Sequence, residues 1–451
     1  PPDPRPVAPP ARRRPALARV AVMTADRLLR LTLAAAALAA CHPAGPAPST
    51  RPALGSFVIR GARVFDGERV LPRATVVVRA GRIVEVGAEA DAAGLPVIDA
   101  AGATVLPGLI DAHAHVRTDA GLRDALRFGV TTELDMMTEV AFAQAHRAAR
   151  DALAPTELAD LYSAGTPVTS DGGMGTQFGL AIPTLAGARD ADAFVAARLA
   201  EGSAFIKVMY EPDAGIVSSL DASTLAAVVA AAHARGARVA VHVSSQAGAR
   251  DAVAAGADCL AHVFSDRAID DALVAAMVAQ RTCAISTLSI MAAFAGASPG
   301  PALARDPRIA PFLSADQRAA LAEPGPGKDD PMAPYLARFQ LPTALANVRR
   351  LSAAGVQILA GDDAATLGVH GATLHGELAL LVRAGLSPTA ALRAATSAPA
   401  ARFGLADRGR IAAGARADLV IVDGDPTTDI EATRAIRAVA KNGYWVQRAP
   451  R

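Results

Sequence analysis

Cysteine is scarce in this 451-residue chain. It occurs at three positions only, and Cys41, Cys259 and Cys283 show neither zinc-knuckle spacing nor a disulfide framework. Cys259 and Cys283 sit in apolar runs, where cysteine most often behaves as a small buried hydrophobe, so two buried free thiols are expected there. Aromatic residues make up 4% of the chain, with a single Trp, while Ala, Gly and Pro abound; that bias points to no function class. Charge of one sign is also missing. Lys plus Arg number 45 and Asp plus Glu 43, and the net +2 is spread along the sequence. Such balance excludes a basic surface built to neutralise phosphates and argues against a nucleic-acid partner. What remains is length, which is enough for one large barrel and a smaller domain.

The first residues read as an address. Residues 1–22 are rich in Pro and Arg without apolar periodicity, and are taken as an upstream artefact or an unstructured segment. After Met23, Arg27 and Arg30 precede the apolar stretch from Leu31 to Ala40, which is too short to span a bilayer. Leu38-Ala39-Ala40-Cys41 resembles a bacterial lipobox. That resemblance implies a signal peptide over 23–40, lipid on the Cys41 thiol and a tether over 41–55. It also implies a periplasmic lipoprotein, anchored to the outer membrane and touching the membrane only through its lipid.

Short β-like runs separated by turn signals fill 56–105 (FVIRGARVFDG, ATVVVRAGRIVEVG), and similar runs return over 405–448 (ADLVIVDGD, IRAVAKNGYWV). A small β sandwich completed by both chain ends is expected. Between them, over 106–404, eight apolar β-rich runs alternate with Ala-rich amphipathic stretches. They lie near Leu109 to His115, Val130 to Leu134, Leu161 to Ala164, Phe205 to Tyr210, Arg238 to Val243, Asp258 to Val263, Cys283 to Leu288 and Val356 to Gly361. Eight βα units form a TIM (β/α)8 barrel, an α/β fold whose functional groups gather where the strands end.

The polar residues obey that rule. His113 and His115 end the first run, Lys207 lies in the fourth, His242 and His262 end the fifth and sixth, and Asp363 follows the eighth. His-x-His on a strand turns both imidazoles to one side, because side chains alternate with period two. Two neutral nitrogen donors converging on one point suit a divalent metal such as zinc.

PGLIDAHAHV and AGDDA resemble the first-strand and eighth-strand signatures of the amidohydrolase superfamily. FIKVMY, VAVHVSSQAGARDAVAAGADCLAHV and HGATLHGELALLVRAGLSPTAALRAATSAPA resemble its subgroup of imidazolonepropionase-like proteins and metal-dependent Xaa-Pro dipeptidases. The resemblance implies His113, His115 and Asp363 around one divalent ion and His242 and His262 around a second, with zinc the expected metal and Lys207 bridging the two ions as its carbamate. A plain ammonium has no lone pair to offer a cation, which is why the carbamate is needed. Alignment of Gly361 and Ala364 gives Asp363 the ligand position and puts Asp362 where Thr or Ser is usual, a departure.

The implied reaction is hydrolysis of an amide-type C–N bond in a small molecule, Xaa-Pro or N-acyl dipeptides being favoured, by water activated between the metals, with Asp363 moving the proton. Tyr210 is a candidate donor to the developing oxyanion. Gln177, in the Gly-rich SAGTPVTSDGGMGTQFG, is a candidate substrate reader, as are His370 and His375. No GK[ST] or GxGxxG marks that Gly-rich stretch as a nucleotide loop. A mononuclear cyclic-amide hydrolase or deaminase, a lactone or organophosphate hydrolase, and a lipid-anchored binding protein without catalysis stay open. So does a homo-oligomeric state. The Pro- and Asp-rich stretch from Ser289 to Thr343 reads as either a lid or a solvated insertion.

Overall fold

The computed structural model describes residues 55–88, 90, 94–323, 325–326, 332–364 and 367–451. Cys41, the signal segment and most of the tether lie outside them. Within the described residues no helix is long and apolar enough to cross a membrane. The segment Gln177–Gly179 is not part of the compact unit formed by Pro52–Thr176 and Leu180–Arg451, which is the unit described below.

The flanking β segments share one eight-stranded sheet. Its N-terminal members are β1 (Phe57–Phe65), β2 (Val70–Arg79), β3 (Arg82–Gly87), β4 (Val97–Asp99) and β5 (Ala103–Pro107). Eight strands of the central region follow: β6 (Leu109–Ala114), β7 (Val130–Asp135), β8 (Asp160–Ser163), β9 (Ile206–Met209), β10 (Val239–His242), β11 (Cys259–Ala261), β12 (Cys283–Ile285) and β13 (Ile358–Leu359). The C-terminal strands β14 (Leu419–Asp423), β15 (Ile436–Lys441) and β16 (Tyr444–Trp445) return to the first sheet, where β14 pairs antiparallel with β5. Phe57, Ile59, Val76 and Val78 from one end pack with Leu419, Ile421 and Ala440 from the other, so neither terminal segment buries its apolar face without its distant partner.

The central strands form two parallel sheets, β6-β7-β8 and β9 through β13 in sequence order. Every residue of β6, β7, β9 and β10 is buried, as expected of parallel strands covered on both faces. Backbone hydrogen bonds cross the gaps between the two sheets. On one side Ala204 N donates to Ser163 O and Val168 N to Lys207 O, both at 2.8 Å; on the other Ala112 N donates to Ala360 O at 2.9 Å. The arrangement is a TIM-barrel-like α/β fold. Helices between strands start where a short polar side chain can accept an otherwise unpaired N–H, as Asp221 does from Thr224 N, Ser245 from Gly248 N and Asp270 from Leu273 N.

Two expectations need correction. Cys259 and Cys283 are not free thiols: they lie opposite each other on β11 and β12, Cα atoms 4.4 Å apart, and are joined as a disulfide. Adjacency in the sheet supplies what the 24-residue separation concealed. The described part of the region from Ser289 to Thr343, read as either a lid or a solvated insertion, is not a plain solvated insertion. It folds as the helices Leu288–Phe294, Gly300–Leu303, Ala315–Ala322 and Ala333–Leu336 and the start of Leu341–Ala353. Leu303, Ile309, Leu313 and Leu321 pack there against Phe128, Val369 and Ala372.

Candidate metal centre

Strand ends bring five of the six expected ligands to one place around Asp363. His113 Nε2 and His115 Nε2 lie 3.4 and 3.1 Å from Asp363 Oδ1, and His262 Nδ1 lies 3.9 Å from Oδ2. The His113 and His262 rings are 4.7 Å apart, as are those of His242 and His262. Ligand atoms of His113, His262 and Asp363 all fall within 4.8 Å of one another. The fit is close enough that Gly361 tolerates no side chain: a Cβ there would sit 2.6 Å from the Cβ of His113.

Hydrogen bonds around the rings settle which nitrogens are free. His262 Nδ1 meets Thr287 Oγ1 at 2.8 Å, and His242 Nε2 meets Glu211 Oε1 at 2.7 Å, leaving Nε2 of His262 and Nδ1 of His242 for an ion. Nδ1 of His113 and of His115 has no partner. Burial, followed by Lys207 and the neighbouring rings, holds His113 well below the ordinary histidine range. Burial, then His242 and Lys207, does the same for His262. Neutral imidazoles are the ligand form, so the electrostatics and the donor set agree.

Lys207 is the sixth member. It is 2% exposed on β9, and its Nζ has no hydrogen-bond partner. Burial pulls its pKa down to about 7, against the opposing pull of Asp363. A buried amine with nothing to bond is costly as it stands. With that pKa the amine is about half neutral at pH 7, and the neutral amine is the form that adds to carbon dioxide. The residues therefore fit a divalent centre.

Strain concentrates here too. His262, Thr287 and Asp363 hold φ of +77°, +44° and +57°, a region that non-glycine residues rarely occupy and that persists where surrounding structure enforces it. One source of enforcement is Glu377, which accepts from Ser286 Oγ and from the backbone N–H groups of Leu288 and Ser289, on both sides of Thr287.

Acidic residues form the other wall. Asp111 accepts from His113 N at 2.9 Å, and Asp135 from Val116 N at 2.8 Å and Ser163 Oγ at 2.5 Å. The Asp362 carboxyl bonds that of Asp111, and burial pushes both well up from the ordinary carboxylate range. Burial likewise lifts Asp135 to about 6, with His115 and Ser163 opposing. Glu133 is fully buried, and neither of its oxygens has a hydrogen-bond partner.

The substrate-facing expectations fare unevenly. Tyr210 is a correction: its hydroxyl donates to Asp251 Oδ2 at 2.8 Å, on the helix Gln246–Ala254. Strand alternation places Lys207 and Tyr210 on opposite sides, which removes the geometry for an oxyanion donor. His375 is another correction. Nδ1 meets Thr433 Oγ1 and Nε2 meets Phe128 O, each at 3.0 Å, inside the core; both nitrogens are used structurally. His370 stands beside the acidic wall, Nδ1 3.7 Å from Glu133 Oε1, and burial lowers its pKa. Gln177 lies in a segment separate from this unit. Sequence reasoning overlooked Glu211 and Glu377. Continuing the alternation from Lys207 through Met209 would have found Glu211, and Glu377 stands two residues after His375 in the quoted HGATLHGEL segment.

A family model described as the amidohydrolase family matches residues 104–446. Among solved structures, a prolidase candidate from Bifidobacterium longum aligns with a TM-score of 0.70 at 25% identity, over 89% of this chain and 97% of that one. A Xaa-Pro dipeptidase with methionine in its active site aligns with a TM-score of 0.68 at 22% identity, over 87% of this chain and 100% of that one. A curated relative, N-acyl-D-aspartate deacylase of Alcaligenes xylosoxydans xylosoxydans, is 48% identical over 65 residues. That match spans 14% of this chain and only 13% of the relative.

Proposed function

Since the chain belongs to the amidohydrolase family and is a hydrolase of C–N bonds, we propose that it cleaves the amide of an Xaa-Pro or other N-acyl dipeptide at a two-ion centre. In this reading His113, His115 and Asp363 would hold one divalent ion and His242 and His262 the other, with Lys207 contributing as its carbamate. Backbone hydrogen bonds across both sheet gaps support a closed eight-stranded barrel, and the one sheet shared by both chain ends supports a small β domain completed by both. Periplasmic residence on a lipid anchor at Cys41 belongs to the same proposal, on the strength of the Leu38 to Cys41 motif alone.

The observation that carries it is Lys207, buried among imidazoles with no partner for its Nζ. Its neutral amine adds to carbon dioxide, forming an N–C bond and releasing one proton, and the product is an anion where a cation was costly. When bound, divalent ions supply Lewis acidity to the scissile carbonyl and lower the pKa of a water. Asp363, whose carboxylate sits between His113 and His115, takes the proton from the attacking water and returns it to the leaving amine. Asp111 and Asp135 hold the strand ends from which His113 and His115 project. His370 is a proposed substrate contact. The substrate class rests on likeness to the dipeptidase structures and on the short deacylase match.

A hydrolysis screen of purified protein, supplied with zinc and bicarbonate, tests the reading against dipeptides, N-acyl amino acids, lactones and cyclic ureides. Turnover of Xaa-Pro or N-acyl substrates is expected. Turnover confined to cyclic ureides with one ion bound would replace it by the mononuclear reading.

A further inference from the structure

The helical insertion reaches the histidine cluster through one buried carboxylate. Tyr335, on the insertion helix Ala333–Leu336, donates its hydroxyl to Glu211 Oε1 at 2.8 Å. The same oxygen lies 2.7 Å from His242 Nε2, and Ser244 Oγ donates to Glu211 Oε2 at 2.5 Å. Arg338 Nη1 donates to Ser244 Oγ at 3.1 Å and lies 3.8 Å from Glu211 Oε2, while its Nη2 donates to Asp213 O at 2.7 Å. Glu211 and Tyr335 are both buried.

The same segment grips the neighbouring strand end. Ser265 Oγ donates to Arg338 O at 3.2 Å and accepts from Gln340 N at 3.0 Å. Ser244 follows His242 by two residues, and Ser265 follows His262 by three. Phe339 packs on Tyr335 and on Phe294, ring centroids 5.5 and 5.3 Å away. The insertion therefore clasps both loops that leave the His242 and His262 strands, which a solvated excursion would not do.

Direction follows from donor and acceptor chemistry. An ionised carboxylate only accepts, so the contact with Glu211 puts the proton of His242 on Nε2 and leaves the Nδ1 lone pair free. A carboxylate behind a ligand imidazole fixes its tautomer and orientation, and losing it typically weakens metal affinity by about 10- to 100-fold. We infer that Tyr335 and Arg338 form a strap that holds Glu211 against His242, making Glu211 and Tyr335 positioning residues through which the Ser289 to Thr343 region controls ion retention at the His242/His262 side. This goes beyond the two-ion reading proposed above and rests on it for the identity of what is retained.

The test compares full-length wild type with Glu211→Gln and Tyr335→Phe. One readout is zinc retained during dialysis against a graded chelator. The other is the imidazole nitrogen spectrum of the ion-free proteins, with His242 identified by the signal missing from His242→Gln. Wild type is expected to show the His242 proton on Nε2. Glu211→Gln is expected to lose one zinc at about 10- to 100-fold lower chelator concentration and to show mixed tautomers. Tyr335→Phe should shift the same ion roughly three- to tenfold, the size of one lost hydrogen bond. If Glu211→Gln fails to fold, Tyr335→Phe decides, since it removes one oxygen atom only. Wild-type zinc retention and an unchanged His242 signal in Tyr335→Phe would overturn the strap. A wild type that holds a single zinc would contradict the two-ion reading instead, and the ion-free spectra would still judge the strap.

Discussion

The two ends of the central strands treat buried charge in opposite ways. At the N-terminal end, Lys441 Nζ lies 2.8 Å from both Asp160 and Asp418, and Arg408 Nη1 reaches Asp160 at 2.5 Å. Asn442 N adds a bond to Asp418 at 2.7 Å. At the C-terminal end Lys207 Nζ, Nδ1 of His113 and His115 and both oxygens of Glu133 have no hydrogen-bond partner. The same core buries a lysine at each end and completes only one. Groups left unsatisfied at such cost mark where something is bound, and groups paired off mark where the chain is fastened. The first network tests stability, the second function.

Substitutions at the mouth should therefore cost activity, and those at the floor should cost stability. Asp363→Asn should lower kcat by on the order of 10³-fold, the scale of a lost general acid–base, and leave the unfolding midpoint nearly unchanged. Steady-state rates set beside urea titration check both halves, and near-normal turnover would remove Asp363 from the chemistry. Lys441→Met should do the reverse: about 4 kcal/mol of stability lost as Asp160 and Asp418 lose their shared cation, with kcat per folded molecule intact. Replacing both Cys259 and Cys283 by Ala should cost about 3 kcal/mol. Thiol titration of unfolded, unreduced wild type should find neither cysteine of this pair free.

The smallest effect concerns His375, whose pKa is lowered to about 4 by burial, against the bond to Phe128 O. A histidine depressed in the folded state is protonated first in the unfolded chain. Stability from this site is thus complete above the unfolded value near 6.5 and is lost as pH falls toward 4. Between pH 7 and pH 5 wild type should lose about 2 kcal/mol more than His375→Gln, in which the amide replaces the ring without titrating. Equal losses in paired urea titrations would contradict the core placement.

The strand run and the gathering of the six polar side chains were legible because their signals are local. A His-x-His at the end of an apolar run and an Asp after another need only period two and a rule about strand ends. Whatever depends on facing the right way across the sheet was harder. Tyr210 stands three residues from Lys207, and that odd offset sends it to Asp251. Glu211, one residue further, has the even offset that turns it to His242. His375 looked functional beside a segment whose contribution is Glu377. The disulfide and the Tyr335 strap join residues that become neighbours only when strands or an insertion pack, and one sequence carries no trace of that pairing. Asp362, the departure from the family motif, turns out to share its carboxyl hydrogen bond with Asp111.

The central claim is that six side chains from five strands hold two ions at one mouth. Anomalous diffraction from crystals of the full chain grown with zinc and bicarbonate tests it most directly. The account predicts two zinc peaks, one by His113, His115 and Asp363 and one by His242 and His262, with carbamate density on Lys207 between them. A single peak with an unmodified Lys207, or full activity from protein stripped of metal, would contradict it.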